Sequence, residues 1–214
     1  MRKEHIILMA DIVQSSEANQ AELMRDFSTI VQLINKSRKT SILSPLTITL
    51  GDEFQGIVKG IVEAIDIIQE LEESLLTKER NFKLRYVVVE GEVDTPINQE
   101  IAYGMLGEGL TRARKKVENL KKSHYRFHFD LKDNIKAEAL NHLYIAIQVI
   151  IDAWKPDQDY KLVSTFLKNE DYKEVALALN KDRSLMWRRK RTLKIDAYQA
   201  LKEVAIYIGG NTHD

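Results

Sequence analysis

The sequence contains no cysteine, and its 214 residues include only three prolines and nine glycines. A chain without thiols forms neither disulfides nor thiolate-metal sites, which fits a cytoplasmic setting. No apolar run approaches the roughly 18 residues of a membrane span. The apolar run near the N-terminus is interrupted by Asp11 and no small-residue cleavage site follows, so we predict no signal peptide. The composition, 44% hydrophobic and 30% charged, predicts one or two globular domains with a core.

The chain also has no net charge, because 32 basic residues balance 32 acidic ones. The two signs are nevertheless segregated. Residues 52–100 carry twelve acids and five bases, whereas residues 109–122 carry six bases and one acid, and residues 181–203 carry eight bases and three acids. Two basic segments therefore stand out against an acidic region.

The first 131 residues alternate between strand and helix patterns. Apolar alternation predicts strands at 5–13, within a hairpin at 46–58, at 83–93 and at 123–131, and apolar stripes predict helices at 20–36, 61–76 and 106–120. The order βαββαβ, with one more helix before a last strand, predicts an α+β fold of the ferredoxin-like or palm type. Its helices would cover one face of an antiparallel sheet. In the last strand, alternation predicts that Arg126 lies on the exposed face with His124 and His128.

A polar stretch at residues 130–134 predicts a boundary between a palm domain at 1–133 and a helical domain at 134–214. Helical patterns follow at 135–154, 160–168 and 171–179. A last helix is predicted from Ser184, as its N-cap, to Ile208, with Gly209 and Gly210 ending it.

Two acids interrupt strands that otherwise have a buried pattern. Asp11 follows five apolar residues of the first strand, and Asp52 stands at the hairpin tip beside Glu53. Neighbouring strands lie about 4.8 Å apart, so these carboxylates would repel one another unless a cation binds or a pKa rises. Oxygen ligands suit Mg²⁺ or Mn²⁺. We therefore predict a metal site at Asp11, Asp52 and Glu53; the alternative is that these are exposed turn residues.

The segments around these acids resemble the two metal-binding motifs of class III nucleotidyl cyclases. One is Ala10-Asp11-Ile12, and the other is Gly51-Asp52-Glu53-Phe54, which also resembles the GGDEF signature of diguanylate cyclases with Leu50 in place of its first glycine. The resemblance implies a palm that holds a nucleotide through its metal, and a homodimer.

The chain departs from the cyclase pattern at the positions that read the base and stabilise the transition state. Ile48 stands where the family has a base-selecting lysine, Thr111 replaces an asparagine, and Lys115 stands at the arginine position beside Arg114. An active cyclase or nucleotidyltransferase is therefore an alternative rather than our main prediction.

Basic residues follow Gly107 and Gly109 at the start of the third helix. Glycines before a helix N-terminus with cations on its first turns form a phosphate-binding arrangement. We predict that Arg112, Arg114 and Lys115 bind the phosphates of a nucleotide; the alternative is a solvated helix face.

The segment 172–191 resembles a helix-turn-helix, with Glu-Val-Ala at 174–176, a short turn and a basic second helix. Such a helix can enter the major groove of DNA. The predicted DNA-binding residues are Ser184, Trp187, Arg188, Arg189, Arg191 and Lys194. Alternatively, the basic helix docks on the acidic region, or is a solvated face.

Taken together, Asp11 to Ser16, Gly51 to Gly56, Arg85, Gly91 to Ile97 and Gly107 with Arg112 to Arg114 resemble the SatD family of bacterial proteins, named from an acid-tolerance operon. The resemblance implies a bacterial cytoplasmic setting, and our main hypothesis is a regulatory protein. We predict a palm that binds metal and nucleotide coupled to a DNA-binding helix-turn-helix. The alternatives are the enzyme above and an oligomerisation scaffold without a ligand.

Overall fold

A computed structural model describes residues 3–13, 20–49, 51–80 and 82–211. One mixed sheet has the strand order β2-β3-β1-β4-β5, and β5 is parallel to β4 while the other neighbours are antiparallel. The fold is therefore α+β, as predicted. In chain order the elements are β1 Glu4–Val13, α1 Gln20–Ser37, β2 Ile42–Ile48, β3 Glu53–Val58, α2 Ile61–Thr77, β4 Lys83–Glu92, α3 Glu108–Leu120, β5 Phe127–Asp130, α4 Asn134–Ile151, α5 Pro156–Lys168, α6 Tyr172–Ala178, α7 Arg183–Thr192 and α8 Ile195–Gly210.

β1 is the central strand and is buried on both faces. Ile6, Leu8 and Ala10 pack into a core with α1 and α2. Ile7 and Met9, pointing the other way, pack into a second core under α3. This two-sided burial explains the continuous apolar run of the strand. The expectation that all helices cover one face is wrong, because α3 lies on the opposite face.

The close approach of α3 to the sheet depends on two glycines. A Cβ on Gly91 of β4 would lie 2.6 Å from the Cα of Gly109, and one on Gly109 would lie 2.8 Å from the carbonyl carbon of Gly91. Real side chains do not tolerate such contacts with backbone. The helix therefore begins against the far end of β4 and runs back along the sheet.

The C-terminal helices share the core of the sheet. Tyr144 of α4 packs between Phe127 and Phe129, with ring centroids 4.8 and 4.9 Å away. Gly209 of α8 lies against Ile65 of α2. The division into domains at residue 133 stays a prediction, but the hydrophobic core is continuous across it. Within the ranges given above, no helix combines the length and apolar character of a membrane span.

The predicted last helix is wrong, because residues 184–208 form two helices rather than one. α7 ends at Thr192, and Lys194 has a left-handed backbone with φ 55°. The indole of Trp154 donates a 2.9 Å hydrogen bond to the Leu193 carbonyl, which stabilises the break. The N-cap of α7 is Asp182, whose side chain accepts from the Leu185 amide at 2.9 Å, while Ser184 donates to Asp182.

Arg126 is buried, with 5% of its surface exposed, which makes the predicted exposed position wrong. It lies before β5 begins, so strand alternation does not apply to it. Its guanidinium donates to both carboxylate oxygens of Glu72 at 3.0 and 2.9 Å, and Tyr86 donates to the same carboxylate. A second ion pair reaches Asp152 at 3.2 Å. Arg126 thus joins β5 to α2 and to the end of α4.

Replacing Arg126 by alanine should lower the free energy of unfolding by about 3–5 kcal/mol, because it leaves the Glu72 carboxylate buried without its counter-ion. Arg38→Ala is the matched control: it removes a partly exposed pair with Glu70 and should cost less than about 1 kcal/mol. Urea denaturation measures both. Equal losses in the two variants would contradict the structural role of Arg126.

Candidate functional site

A polar row crosses strands β3, β1 and β4 at one end of the sheet, on the face that α3 covers, and extends to Thr49 just after β2. Asp11 of β1 lies opposite Glu53 of β3 on one side and opposite Arg85 of β4 on the other. Glu53 in turn accepts a 2.9 Å backbone hydrogen bond from Thr49 at the hairpin end. Cross-strand partners have Cβ atoms roughly 5 Å apart. The row therefore places a hydroxyl, two carboxylates and a guanidinium side by side.

Asp11 is held by two cations. The Nη1 of Arg85 donates to both carboxylate oxygens, at 3.1 and 2.9 Å. The Nζ of Lys121, just past the end of α3, lies 3.6 Å from Oδ2. Burial raises the pKa of Asp11, which is 2% exposed, and Arg85 and Lys121 oppose that rise. The ion pair with Arg85 is thus the principal compensation for a desolvated carboxylate.

Glu53 is as deeply buried as Asp11 but is not compensated in the same way. Its Oε1 has no hydrogen-bond partner among the described residues, and the nearest cation, Nη2 of Arg114, lies 4.0 Å away. Burial raises the pKa of Glu53, opposed by Arg114 and Lys121. Thr49 Oγ1 and Arg85 Nε are also buried without a partner in the described part of the chain. Such atoms in one row mark a place where further polar groups can bind.

Asp52 lies at the turn of the hairpin, where Gly51 adopts a left-handed backbone with φ 82°. Its carbonyl accepts a 2.9 Å hydrogen bond from the amide of Ile12, which fixes the turn beside the end of β1. The charge of Asp52 is one of the causes that raise the pKa of Asp11. The structure thus brings the predicted metal-binding acids Asp11, Asp52 and Glu53 to the same end of the sheet. Leu50, Gln14, Ser15 and Ser16 lie outside the described residues.

The arrangement does not fit a preformed Mg²⁺ or Mn²⁺ site, because Arg85 uses both oxygens of Asp11. Among the described residues, no group of three or more histidine or carboxylate side chains is arranged to hold a metal ion. The predicted metal therefore remains a prediction that would require Asp11 to leave Arg85.

The three predicted phosphate-binding residues of α3 are not together. Arg112 contacts the carboxylates of Glu108 and Asp130 and donates to the carbonyl of Glu90. Arg114 points toward the polar row and donates to Gln55 at 3.4 Å. Lys115 is exposed next to it. Arg112 and Arg114 lie on different sides of α3 because they are two residues apart in a helix. The N-terminus of α3 lies near Gly91, at the opposite end of β4 from Arg85 and Asp11.

A cleft of ≈ 540 Å³ opens beside Arg114 and Lys115. Its other wall is the loop after β4, where Tyr103 and Leu106 are 67% and 68% exposed. The loop is anchored to the sheet, because Gln55 donates to the Ala102 carbonyl and the Ala102 amide donates to Thr47 at 2.9 Å. This volume is within the usual range for a small-ligand site.

Sequence reasoning missed the roles of Lys121 and of the loop at 98–107. Lys121 does not belong to the apolar stripe of α3, so helical periodicity gives it no role. It reaches Asp11 because α3 ends beside that residue. In the sequence, Arg85 and Gln55 belong to the segments that resemble the SatD family, but the resemblance assigns them no role. A usable signal did exist, because Arg85 interrupts an apolar strand at a position that alternation assigns to a buried face.

The predicted DNA-binding residues of α7 separate into two groups. Ser184, Trp187, Arg188 and Arg191 recur at helical spacing and are exposed, and the Arg191 guanidinium lies 4.9 Å from the centre of the Trp187 ring. Lys194, just beyond the helix, is also exposed. Arg189 points inward and forms an ion pair with Asp159, which is 6% exposed. Arg189 therefore holds α7 on α5 and is not part of the exposed face.

Glu53→Gln should flatten the dependence of stability on pH above about 4. Because the folded pKa of Glu53 is raised above its ordinary value of 4.5, the folded state binds more protons, and the stability this gives at acid pH is lost as pH rises through the folded pKa. Urea denaturation across this range should show a smaller fall for the variant than for the wild type. Glu138→Gln, on the exposed face of α4, is the control; equal slopes in all three proteins would contradict the role of Glu53.

Comparison with solved structures finds nucleotide cyclases. A bacterial light-regulated adenylyl cyclase is 15% identical, with 60% of this chain and 76% of that chain covered and a TM-score of 0.43. The adenylyl cyclase CyaB from P. aeruginosa is 12% identical, with coverage of 56% and 73% and a TM-score of 0.40. A dimeric guanylyl cyclase domain from the aquatic fungus Blastocladiella emersonii is 14% identical, with coverage of 55% and 77% and a TM-score of 0.36. Similarity at this level does not establish a shared reaction.

No curated protein matches the sequence. The model of the SatD family matches residues 5–206, which is nearly the whole chain and includes the polar row, the cleft and α7. The chain belongs to the SatD family.

Proposed function

We propose that the chain is a bacterial regulatory protein that contacts DNA through α7 and binds a phosphate-bearing ligand, such as a nucleotide, in the cleft beside Arg114. The observation that carries this proposal is the division of charges on α7. Its inward cations are used within the fold, while its outward cations face solvent around an exposed tryptophan.

The inward cations of α7 have defined partners. Arg189 pairs with Asp159, and Lys190 lies 2.7 Å from Asp196 at the start of α8. Asp159 also accepts a 2.9 Å hydrogen bond from the amide of Lys155, so the ion pair rests on the start of α5. Because these contacts fix the helix, its outward face has a defined orientation.

The outward face has the chemistry of a nucleic-acid contact. Arg188, Arg191 and Lys194 are exposed, and Trp187 offers a 45% exposed ring to which Arg191 is stacked. Exposed cations attract phosphates, and an ordered arginine keeps donors available for phosphate or base edges. α6 precedes α7 through a turn in which Asn180 has φ 49°, and Val175 and Met186 are buried. This pair of helices supports a helix-turn-helix as a proposal.

The cleft beside the sheet supports the second half of the proposal. Arg114 and Lys115 supply positive charge on one side, where Glu118 is paired with Lys121, and Tyr103 supplies an exposed aromatic ring on the other. A nucleotide offers anionic phosphates and a planar base, which match those two kinds of wall. Arg114 also contacts Gln55, so an anion that binds Arg114 would change the contacts of the polar row.

The enzyme alternatives have weaker support. Two-metal phosphoryl transfer needs carboxylates that are available to the metal ions, whereas Asp11 gives both oxygens to Arg85. A homodimer rests on the resemblance to cyclases, and a scaffold without a ligand is the third alternative.

Reversing two outward charges on α7 should weaken DNA binding. Arg188→Glu plus Arg191→Glu should weaken binding to genomic fragments at low salt by at least about tenfold and lower the slope of log affinity against log salt by about 2. Fluorescence anisotropy over a salt series measures both quantities.

The matched control for this charge change is Lys36→Glu plus Lys39→Glu, exposed residues at the end of α1. It makes the same change in net charge away from α7 and should leave the salt slope nearly unchanged. DNA binding that both double variants reduce equally would show attraction by overall charge and contradict a contact through α7.

Arg114→Ala should weaken binding of a nucleoside triphosphate by roughly 10- to 100-fold, since a hydrogen bond to a charged group contributes about 1.5–3 kcal/mol. Arg112→Ala is the control, because Arg112 is engaged with Glu108 and Asp130 and does not line the cleft. Isothermal titration calorimetry measures both. An equal loss in the two variants, or no binding by the wild type at millimolar ligand, would contradict the ligand proposal.

A further inference from the structure

We propose that Arg85 is a built-in replacement for a divalent cation at the acidic end of the sheet. In this chain the guanidinium neutralises Asp11, so that the charge balance of the site is complete without a bound metal. Removing Arg85 would then create a site for Mg²⁺ or Mn²⁺ where the wild type has none.

The guanidinium of Arg85 occupies the place that a metal ion would take on Asp11. Arg85 lies directly opposite Asp11 on the adjacent strand, and one nitrogen, Nη1, reaches both carboxylate oxygens at 3.1 and 2.9 Å. A single donor atom placed between two oxygens of one carboxylate resembles the position of a metal ion bound by both of them. Lys121 adds a second positive charge 3.6 Å from Oδ2.

A carboxylate oxygen beside this pair has no hydrogen-bond partner among the described residues. Glu53 lies opposite Asp11 on the other neighbouring strand, is 2% exposed, and its Oε1 has no hydrogen bond among the described residues. Thr49 Oγ1, at the end of the same row, is also buried without a partner there. Carboxylate and hydroxyl oxygens are the ligands that Mg²⁺ and Mn²⁺ prefer. The row thus holds three side chains with oxygen atoms that suit a metal ion, and Arg85 already occupies the oxygens of one of them, Asp11.

Arg85 and a metal ion cannot bind the same carboxylate together. A divalent ion bound to both oxygens of Asp11 would take the place of Nη1 of Arg85, so like charges would repel in a buried site where screening by solvent is weak. Lys121 is no such obstacle, because its side chain is 35% exposed and can turn toward solvent. Arginine stays protonated at all physiological pH values, so the wild-type protein has no pH at which this obstacle is removed.

One consequence rests on the proposed function. If a phosphate-bearing ligand binds beside Arg114, its affinity should be the same with chelator and with Mg²⁺, because protein cations supply the charge that a metal supplies elsewhere. The test of the proposal itself uses the metal alone, so its outcome is independent of whether a nucleotide or DNA binds.

The experiment is a titration of Mn²⁺ into three proteins: wild type, Arg85→Gln, and Arg85→Gln combined with Asp11→Asn. The concentration of free Mn²⁺ is measured by electron paramagnetic resonance. Wild type and the double variant should bind no Mn²⁺ up to about 1 mM, the weak end of the affinity range for Ca²⁺ sites built from oxygen ligands. Arg85→Gln should bind one equivalent at least tenfold more tightly than that limit. Arg112→Gln, which also removes an arginine from an acidic contact on this face, is the control and should gain no site.

The melting temperature gives a second measurement, because ligands that bind only the folded state stabilise it. Mn²⁺ should raise the melting temperature of Arg85→Gln toward that of the wild type and leave the wild type unchanged. Stoichiometric Mn²⁺ binding by the wild type that Asp11→Asn removes would overturn the proposal. So would an Arg85→Gln protein that gains no Mn²⁺ site, or that fails to fold even with millimolar Mn²⁺, because in either case a metal ion does not replace the guanidinium.

Discussion

The structure depends on the burial of β1 from both sides. Its ten residues lie at the centre of the sheet, with α1 and α2 on one face and α3 on the other. A charge in the buried part of this strand, residues 6–12, is therefore removed from water, which is costly unless it is paired. Asp11 carries such a charge, and the ion pair with Arg85 compensates for its burial.

The same constraint explains why buried arginines occur at two places in the fold. Arg85 meets Asp11 under α3, and Arg126 meets Glu72 under the C-terminal helices. Both pairs join segments that are distant in sequence, and each arginine donates to both oxygens of its carboxylate. Burying such pairs costs desolvation free energy, so their value lies in fixing one arrangement of the elements they join. The pair with Arg85 also makes Asp11 unavailable as a metal ligand.

The two proposed binding surfaces lie where basic side chains face the cleft or solvent and are not held in buried ion pairs. Arg114 and Lys115 border the cleft, and Arg188 and Arg191 face outward from α7. Their neighbours Arg112 and Arg189 are engaged by carboxylates within the fold. A count of basic residues along the chain cannot separate these two groups, because residues one or two positions apart on a helix point in different directions.

The sequence by itself determined the kind and position of most helices and strands, since apolar periodicity directly reflects which side of an element is buried. It also located Asp11, Asp52 and Glu53 as acids that share one end of the sheet. Only the tertiary structure decided that α3 lies on the opposite face from α1 and α2, and that Arg85 holds Asp11. It also decided that the last predicted helix is interrupted at Lys194, between α7 and α8. These features depend on contacts between segments far apart in the chain, and local periodicity carries no information about which distant charge will lie within 3 Å of a carboxylate.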